Sequence, residues 1–154
     1  VRYPRGEAFD ELKEYRAPLE YGKAEVLYEE SEILLLAVGS MVKTALTVRE
    51  QLKEKGYSCS LVNARFVKPF DEELLLKLQK NHKLLVTLEE NVQSGGFGEH
   101  VLEFMNTSGD GSMEVLNIAI PDVYVEHGNV ELLRKETGID ADGIIGKIID
   151  RKAQ

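Results

Sequence analysis

The chain has 154 residues, 43% hydrophobic and 30% charged, which is one ordinary domain with enough apolar side chains for a core. Its 19 basic and 27 acidic side chains leave a net charge of −8, which opposes binding to a nucleic-acid backbone or an anionic membrane. No apolar run approaches the roughly 20 residues that span a bilayer. The single cysteine, Cys59, excludes an internal disulfide and suits a reducing compartment.

Residues 1–22 carry Pro4, Gly6, Pro18 and Gly22 around a stretch that follows neither the helical nor the strand period. They are predicted to form a linker and the end of a preceding domain, and residues 23–154 the domain itself. Because the chain opens on neither a signal peptide nor an initiator methionine, it reads as a fragment of a longer protein.

Residues 24–28 are a short strand candidate, followed by a polar turn and the continuous apolar run 33–38. So short a connection has no room for a crossover helix, which predicts that these two strands are antiparallel neighbours. Ser40 is a candidate N-cap for a helix with Met41, Ala45, Val48 and Leu52 on its apolar face and Gly56 at its C-terminal cap. Residues 57–64 form the next strand. Asp71 then caps a helix with Leu74, Leu75 and Leu78 inside, and Glu72 and Glu73 favour its positive end.

Residues 84–88 read as a strand buried on both faces, ended by Glu89 and Glu90. The Gly95-Gly96-Phe97-Gly98 turn follows, then a helix marked by Val101, Leu102 and Met105. Residues 115–120 make the last strand. Asn129 and Asp140 cap two terminal helices, the second with Ile144, Ile145, Ile148 and Ile149 on one face. The predicted fold is α/β: a three-layer, open mixed sheet of five strands, four parallel and one antiparallel at an edge. Residues 33–38 and 84–88 are predicted as inner strands and residues 24–28 as the edge.

A strand that stops before a Gly-rich turn marks the carboxyl edge of such a sheet, where ligands and partner surfaces meet it. Glu89 and Glu90, adjacent on a strand, point to opposite faces and cannot work as one acid pair. The Gly turn lacks the third glycine of the dinucleotide fingerprint, so a tight turn with close backbone approach is expected there. His82, His100 and His127 lie far apart without partners at metal-ligand spacing. Cys59 has no neighbouring histidine and reads as a core cysteine. Arg5 sits between Pro4 and Gly6, where a constrained backbone can present its fork to a phosphate or carboxylate.

Several phrases together resemble one family. Tyr3-Pro4-Arg5-Gly6, Asn63-Ala64-Arg65-Phe66-Val67-Lys68-Pro69-Phe70-Asp71, Glu89-Glu90-Asn91 with the Gly turn, Ile120-Pro121-Asp122 with Glu126-His127-Gly128, and Gly138-Ile139-Asp140 resemble 1-deoxy-D-xylulose-5-phosphate synthase in sequence order. Phe70 stands where that family usually has leucine. The resemblance implies a transketolase-type C-terminal domain. It also implies an enzyme that condenses pyruvate with glyceraldehyde 3-phosphate, using thiamine diphosphate and Mg2+ held by domains ahead of this one. The partners implied are its own N-terminal and pyrimidine-binding domains and a second copy in a homodimer, in a bacterial cytoplasm. Arg5 is the one residue it assigns to substrate, on the phosphate of glyceraldehyde 3-phosphate. A 2-oxoacid dehydrogenase β-subunit domain and a non-catalytic dimerisation or regulatory module are the alternatives.

Overall fold

The computed structural model describes residues 11–15 and 17–153. Its elements are β1 (Glu25–Tyr28), β2 (Glu32–Ala37), α1 (Met41–Glu54), β3 (Cys59–Asn63), α2 (Glu72–Leu78), β4 (His82–Val92), α3 (Phe97–Ser108), β5 (Glu114–Ile120), α4 (Val130–Thr137) and α5 (Ala141–Lys152). The strands form one sheet in the order β1-β3-β2-β4-β5. β3, β2, β4 and β5 run parallel, and β1 lies antiparallel on β3 at one edge.

The period of two on the inner strands sorts the core into two halves. Ile33, Leu35 and Ala37 of β2 with Leu84, Val86 and Leu88 of β4 face α1 and α5. Leu34, Leu36 and Leu85 face α2 and α3 on the other side. Full burial of a leucine or isoleucine contributes about 1.5–3 kcal/mol, so β2 and β4 carry much of the stability. Phe70 packs edge-to-face on Phe97 (5.5–6.0 Å between centroids for the two rings it meets) and on Phe104, a cluster that leucine could not form.

The helix ends follow local chemistry. Asp71 accepts from the Leu74 N–H at 3.2 Å, Asn129 from Glu131 and Leu132, and Asp140 from Gly143, each cap contributing about 1 kcal/mol. At the end of α1, Gly56 adopts φ +87, and the Gly56 and Tyr57 N–H groups donate to the carbonyls of Lys53 and Leu52. That left-handed residue is why a glycine stands there. Ser40 differs from expectation: its hydroxyl makes no cap bond and donates instead to Glu90 at 2.6 Å.

The predicted antiparallel neighbours β1 and β2 are not paired; β3 lies between them. The short connection does not fold back as a hairpin but crosses the start of β3 and is bonded to it. Glu30 N–H donates to Ser60 Oγ at 2.7 Å, Ser31 N–H to Ser58 Oγ at 3.1 Å, and Cys59 N–H to the Glu30 carboxylate at 3.3 Å. Two inter-strand spacings are about 9.6 Å, and three or four extended residues reach that far. Glu32 turns the chain into β2 with φ +70. β4 also runs past the expected stop at Glu89, on to Val92, which pairs with Ile120 after an irregularity.

Candidate functional site

The parallel strands end on one side of the molecule, where the loops after β2, β3, β4 and β5 gather with residues 17–22. Glu89 and Glu90 lie at the centre of this carboxyl edge and, as expected, serve opposite faces. Glu89 is 3% exposed, and its two oxygens accept the Phe97 N–H at 2.9 Å and the Gly98 N–H at 2.7 Å. It thus caps α3 from eight residues upstream and satisfies donors that would otherwise be orphaned. A carboxylate so engaged and so buried has a structural role. Glu90 is held bidentate by Arg134 of α4, at 2.9 and 3.1 Å, with the Ser40 hydroxyl as third donor. Burial would raise its pKa, but the hydrogen bonds from Arg134 and Ser40 outweigh it and hold the carboxyl below its ordinary value.

The Gly turn closes tightly around these groups. A Cβ on Gly96 would lie 2.5 Å from the Val92 carbonyl and 2.7 Å from Glu89, and one on Gly98 2.6 Å from Thr87 Oγ1. The close approach is internal. It leaves the N-terminus of α3 filled by a carboxylate, which does not fit a diphosphate. Among the described residues there is no group of three His, Cys, Asp or Glu side chains that could hold a metal ion. The described residues therefore do not fit thiamine diphosphate with Mg2+. A crevice lined by Ala24, Leu36, Ala64, Phe70, Leu75 and Phe97 encloses only about 10 Å³, far below a substrate pocket.

His82 is a satisfied core histidine: Nδ1–H donates to the Leu78 carbonyl at 2.6 Å and Nε2 meets Ser60 Oγ at 2.8 Å. His100 and His127 are exposed and lie on separate elements. Burial pushes the Cys59 thiol up to about 12, so it stays an inert core group. Arg5 lies outside the described residues.

Sequence reasoning passed over Arg65. Two residues past the end of β3, it adopts a left-handed conformation, φ +57, which costs a non-glycine residue about 1–3 kcal/mol and marks a position under constraint. Its guanidinium pairs with Glu25 of β1 at 2.5 Å and reaches the Ala17 carbonyl at 3.5 Å. It fastens the segment that leads back towards Arg5 onto the sheet. No periodicity signals such a residue; only its neighbour in space does.

The apolar surface also collects here. Leu19, Tyr21 and Val67 are exposed at the β1/β3 end of the edge, and Val92, Val123, Tyr124, Val130 and Leu132 at the β4/β5 end. No large hydrophobic side chain among the described residues is comparably exposed elsewhere.

Residues 22–144 match the model of the family described as transketolase, C-terminal domain. The chain belongs to that family. A relative from Lachnoclostridium phytofermentans named 1-deoxy-D-xylulose-5-phosphate synthase is 47% identical over 96% of this chain and 24% of its own length. One of the same name from Aquifex aeolicus is 43% identical over 94% of this chain and 23% of its own length. The chain thus spans about a quarter of the length of the curated relatives it matches. Among solved structures it resembles the inactive β4 tetramer of a split-gene transketolase, with a TM-score of 0.78 and 26% identity over 87% of this chain and 42% of that one. It also resembles transketolase from Campylobacter jejuni, with a TM-score of 0.57 over 84% of this chain and 18% of that one; at 19% identity this shows the shared fold. The expected transketolase C-terminal-type sheet is borne out.

Proposed function

We propose that this transketolase C-terminal domain is the last part of a 1-deoxy-D-xylulose-5-phosphate synthase. That enzyme condenses pyruvate with glyceraldehyde 3-phosphate and releases CO2, feeding isoprenoid and thiamine synthesis. The observation that carries the reading is 47% identity to a relative so named, sustained over 96% of the chain. Thiamine diphosphate supplies the carbanion chemistry in such an enzyme, and in this reading it and Mg2+ are held by the preceding domains. Residues 1–22 are the linker from those domains, and Arg5 is the substrate-binding residue, its fork on the aldehyde's phosphate. Arg65 positions that linker through Glu25 and the Ala17 carbonyl. The working form is a homodimer in a bacterial cytoplasm.

The test is the full-length protein with pyruvate, glyceraldehyde 3-phosphate, thiamine diphosphate and Mg2+. One CO2 released for each five-carbon sugar phosphate formed is the expected result. CO2 release without that product would overturn the reading in favour of a 2-oxoacid dehydrogenase.

A further inference from the structure

The sequence holds the dipeptide Asp-Gly twice, as Asp110-Gly111 and as Asp142-Gly143, and the fold gives the two copies opposite surroundings. Asp142 and Gly143 lie in the first turn of α5. There each Cα–Cβ bond tilts towards the helix N-terminus, so the Asp142 carboxyl is directed away from the peptide that follows it. The Gly143 N–H is taken by Asp140 Oδ1 at 3.2 Å, and a Cβ on Gly143 would lie 2.7 Å from that same oxygen. Asp110 and Gly111 lie in the loop between α3 and β5, at the amino ends of the strands, and both are exposed. Ser112 N–H donates to Asp110 Oδ1 at 2.9 Å. This turn folds the carboxyl forward over the Gly111 peptide. Among the described residues no acceptor takes the Gly111 N–H, and a Cβ on Gly111 would meet nothing within 4 Å. The loop is pinned before this point by Gln79 Oε1, which accepts the Asp110 N–H at 3.2 Å, and after it by the buried Met113.

We infer that Asp110-Gly111 is a site of spontaneous modification, at which the chain rearranges to isoaspartate, while Asp142-Gly143 is held inert by its helix. The Gly111 nitrogen attacks Asp110 Cγ. An N–C bond forms, the C–OH bond of the carboxyl breaks, and the hydroxyl leaves with the amide hydrogen as water. A second water then opens the five-membered imide. Cleavage at the side-chain carbonyl restores aspartate, and cleavage at the main-chain carbonyl leaves isoaspartate, whose backbone runs through Cβ. Glycine favours the closure because it has no Cβ to obstruct its nitrogen. With both ends of the loop pinned, the extra backbone atom is absorbed at Gly111 and Ser112, which are exposed, and the core need not open. The step uses the acid form of the carboxyl, since the ionised form has no hydroxyl to lose. Hydrogen bonds from Ser112, its hydroxyl first and its N–H second, hold Asp110 below its ordinary value, and the charge of Lys83 on β4 acts in the same direction. The rearrangement is therefore slow at neutral pH and quickens as the pH falls.

The test needs no turnover. The full-length protein is aged at about pH 6, nearer the ordinary aspartate range than neutral solution is, then cut with trypsin and labelled by an isoaspartate-specific methyltransferase. Trypsin cuts after lysine and arginine, so the two dipeptides fall in separate peptides, 84–134 and 136–147. The quantity read for each is its labelling rate in the folded protein divided by its rate in protein unfolded in guanidinium chloride. The expected result is a ratio several-fold larger for 84–134 than for 136–147. Asp110→Glu, which would have to close a six-membered ring, is expected to remove most of the label from 84–134. Equal ratios, or a larger one for 136–147, would overturn the inference by showing that the fold does not select Asp110. Label in 84–134 that survives Asp110→Glu would overturn it by placing the reaction at another residue of that peptide, such as Asn106.

Discussion

The two ends of the strands are built on opposite principles. At the amino ends, charge is closed on charge. Arg49 is buried, donates to the Cys59 carbonyl at 3.0 Å, pairs with Glu30 and Glu50 and lies 4.0 Å over the Tyr28 ring. Lys152 pairs with Glu32 and sits 5.3 Å from the Tyr57 ring, tying the last turn of α5 to the start of β2. At the carboxyl ends the charges are equally well paired, but the apolar side chains point outwards. The difference separates a surface whose side chains are closed on one another from one that leaves apolar side chains in solvent. Perturbing the amino ends is therefore expected to change stability alone. Perturbing the carboxyl ends is expected to change assembly and activity as well.

Arg49→Ala should have the largest effect on folding. Removing one partner from a buried ion pair costs about 3–5 kcal/mol, and the lower figure is expected because Glu30 is partly exposed. Urea unfolding of wild type and variant checks this, and in the full-length protein the proposed activity of the folded fraction should be unchanged. A loss of activity at constant stability would blur the contrast between the two ends. Glu89→Ala comes next. It leaves the buried Phe97 and Gly98 N–H groups without an acceptor, at a cost of about 1–3 kcal/mol. Hydrogen exchange should show the first turn of α3 opening well before the rest of the helix, whereas uniform exchange along α3 would deny Glu89 its capping role.

The smallest effect is in the pH dependence. Glu32 is held below its ordinary value by the hydrogen bond from Lys152. Glu30 is lowered although burial opposes it, because the Cys59 N–H and Arg49 outweigh that burial. A depressed folded pKa contributes stability that is present above the unfolded value, about 4.3 for glutamate. That stability is lost as pH falls through the folded values. Thermal unfolding should therefore show Tm level from neutral pH down to the glutamate range and falling below it. Glu30→Gln should reduce the drop, and an identical acid limb in the variant would contradict the assignment.

Much of the fold could be read from residue pattern because its determinants are local. Unbroken apolar runs marked β2 and β4 as inner strands, and Asp71, Asn129, Asp140 and Gly56 marked helix ends within three residues of where they act. The failures share a cause, which is a partner distant in sequence. β1 pairs with Val62 and Asn63, more than thirty residues on, a pairing that the short connection to β2 does not signal. Ser40 looks like a cap until Glu90, fifty residues away, takes its hydroxyl. The apolar patch was invisible for the same reason, since Tyr21, Val92, Tyr124 and Leu132 share a surface only once the sheet has formed.

The most direct test of the proposed function is Arg5→Ala in the full-length protein, assayed with glyceraldehyde 3-phosphate and with unphosphorylated glyceraldehyde. A charge-assisted, bidentate contact of about 1.5–3 kcal/mol predicts a fall of about 10- to 150-fold in kcat/KM for the phosphorylated aldehyde. The unphosphorylated aldehyde and the KM for pyruvate should be nearly unchanged, and Arg5→Lys should restore only part of the loss. An equal loss with both aldehydes would contradict the claim and leave Arg5 a support of the linker.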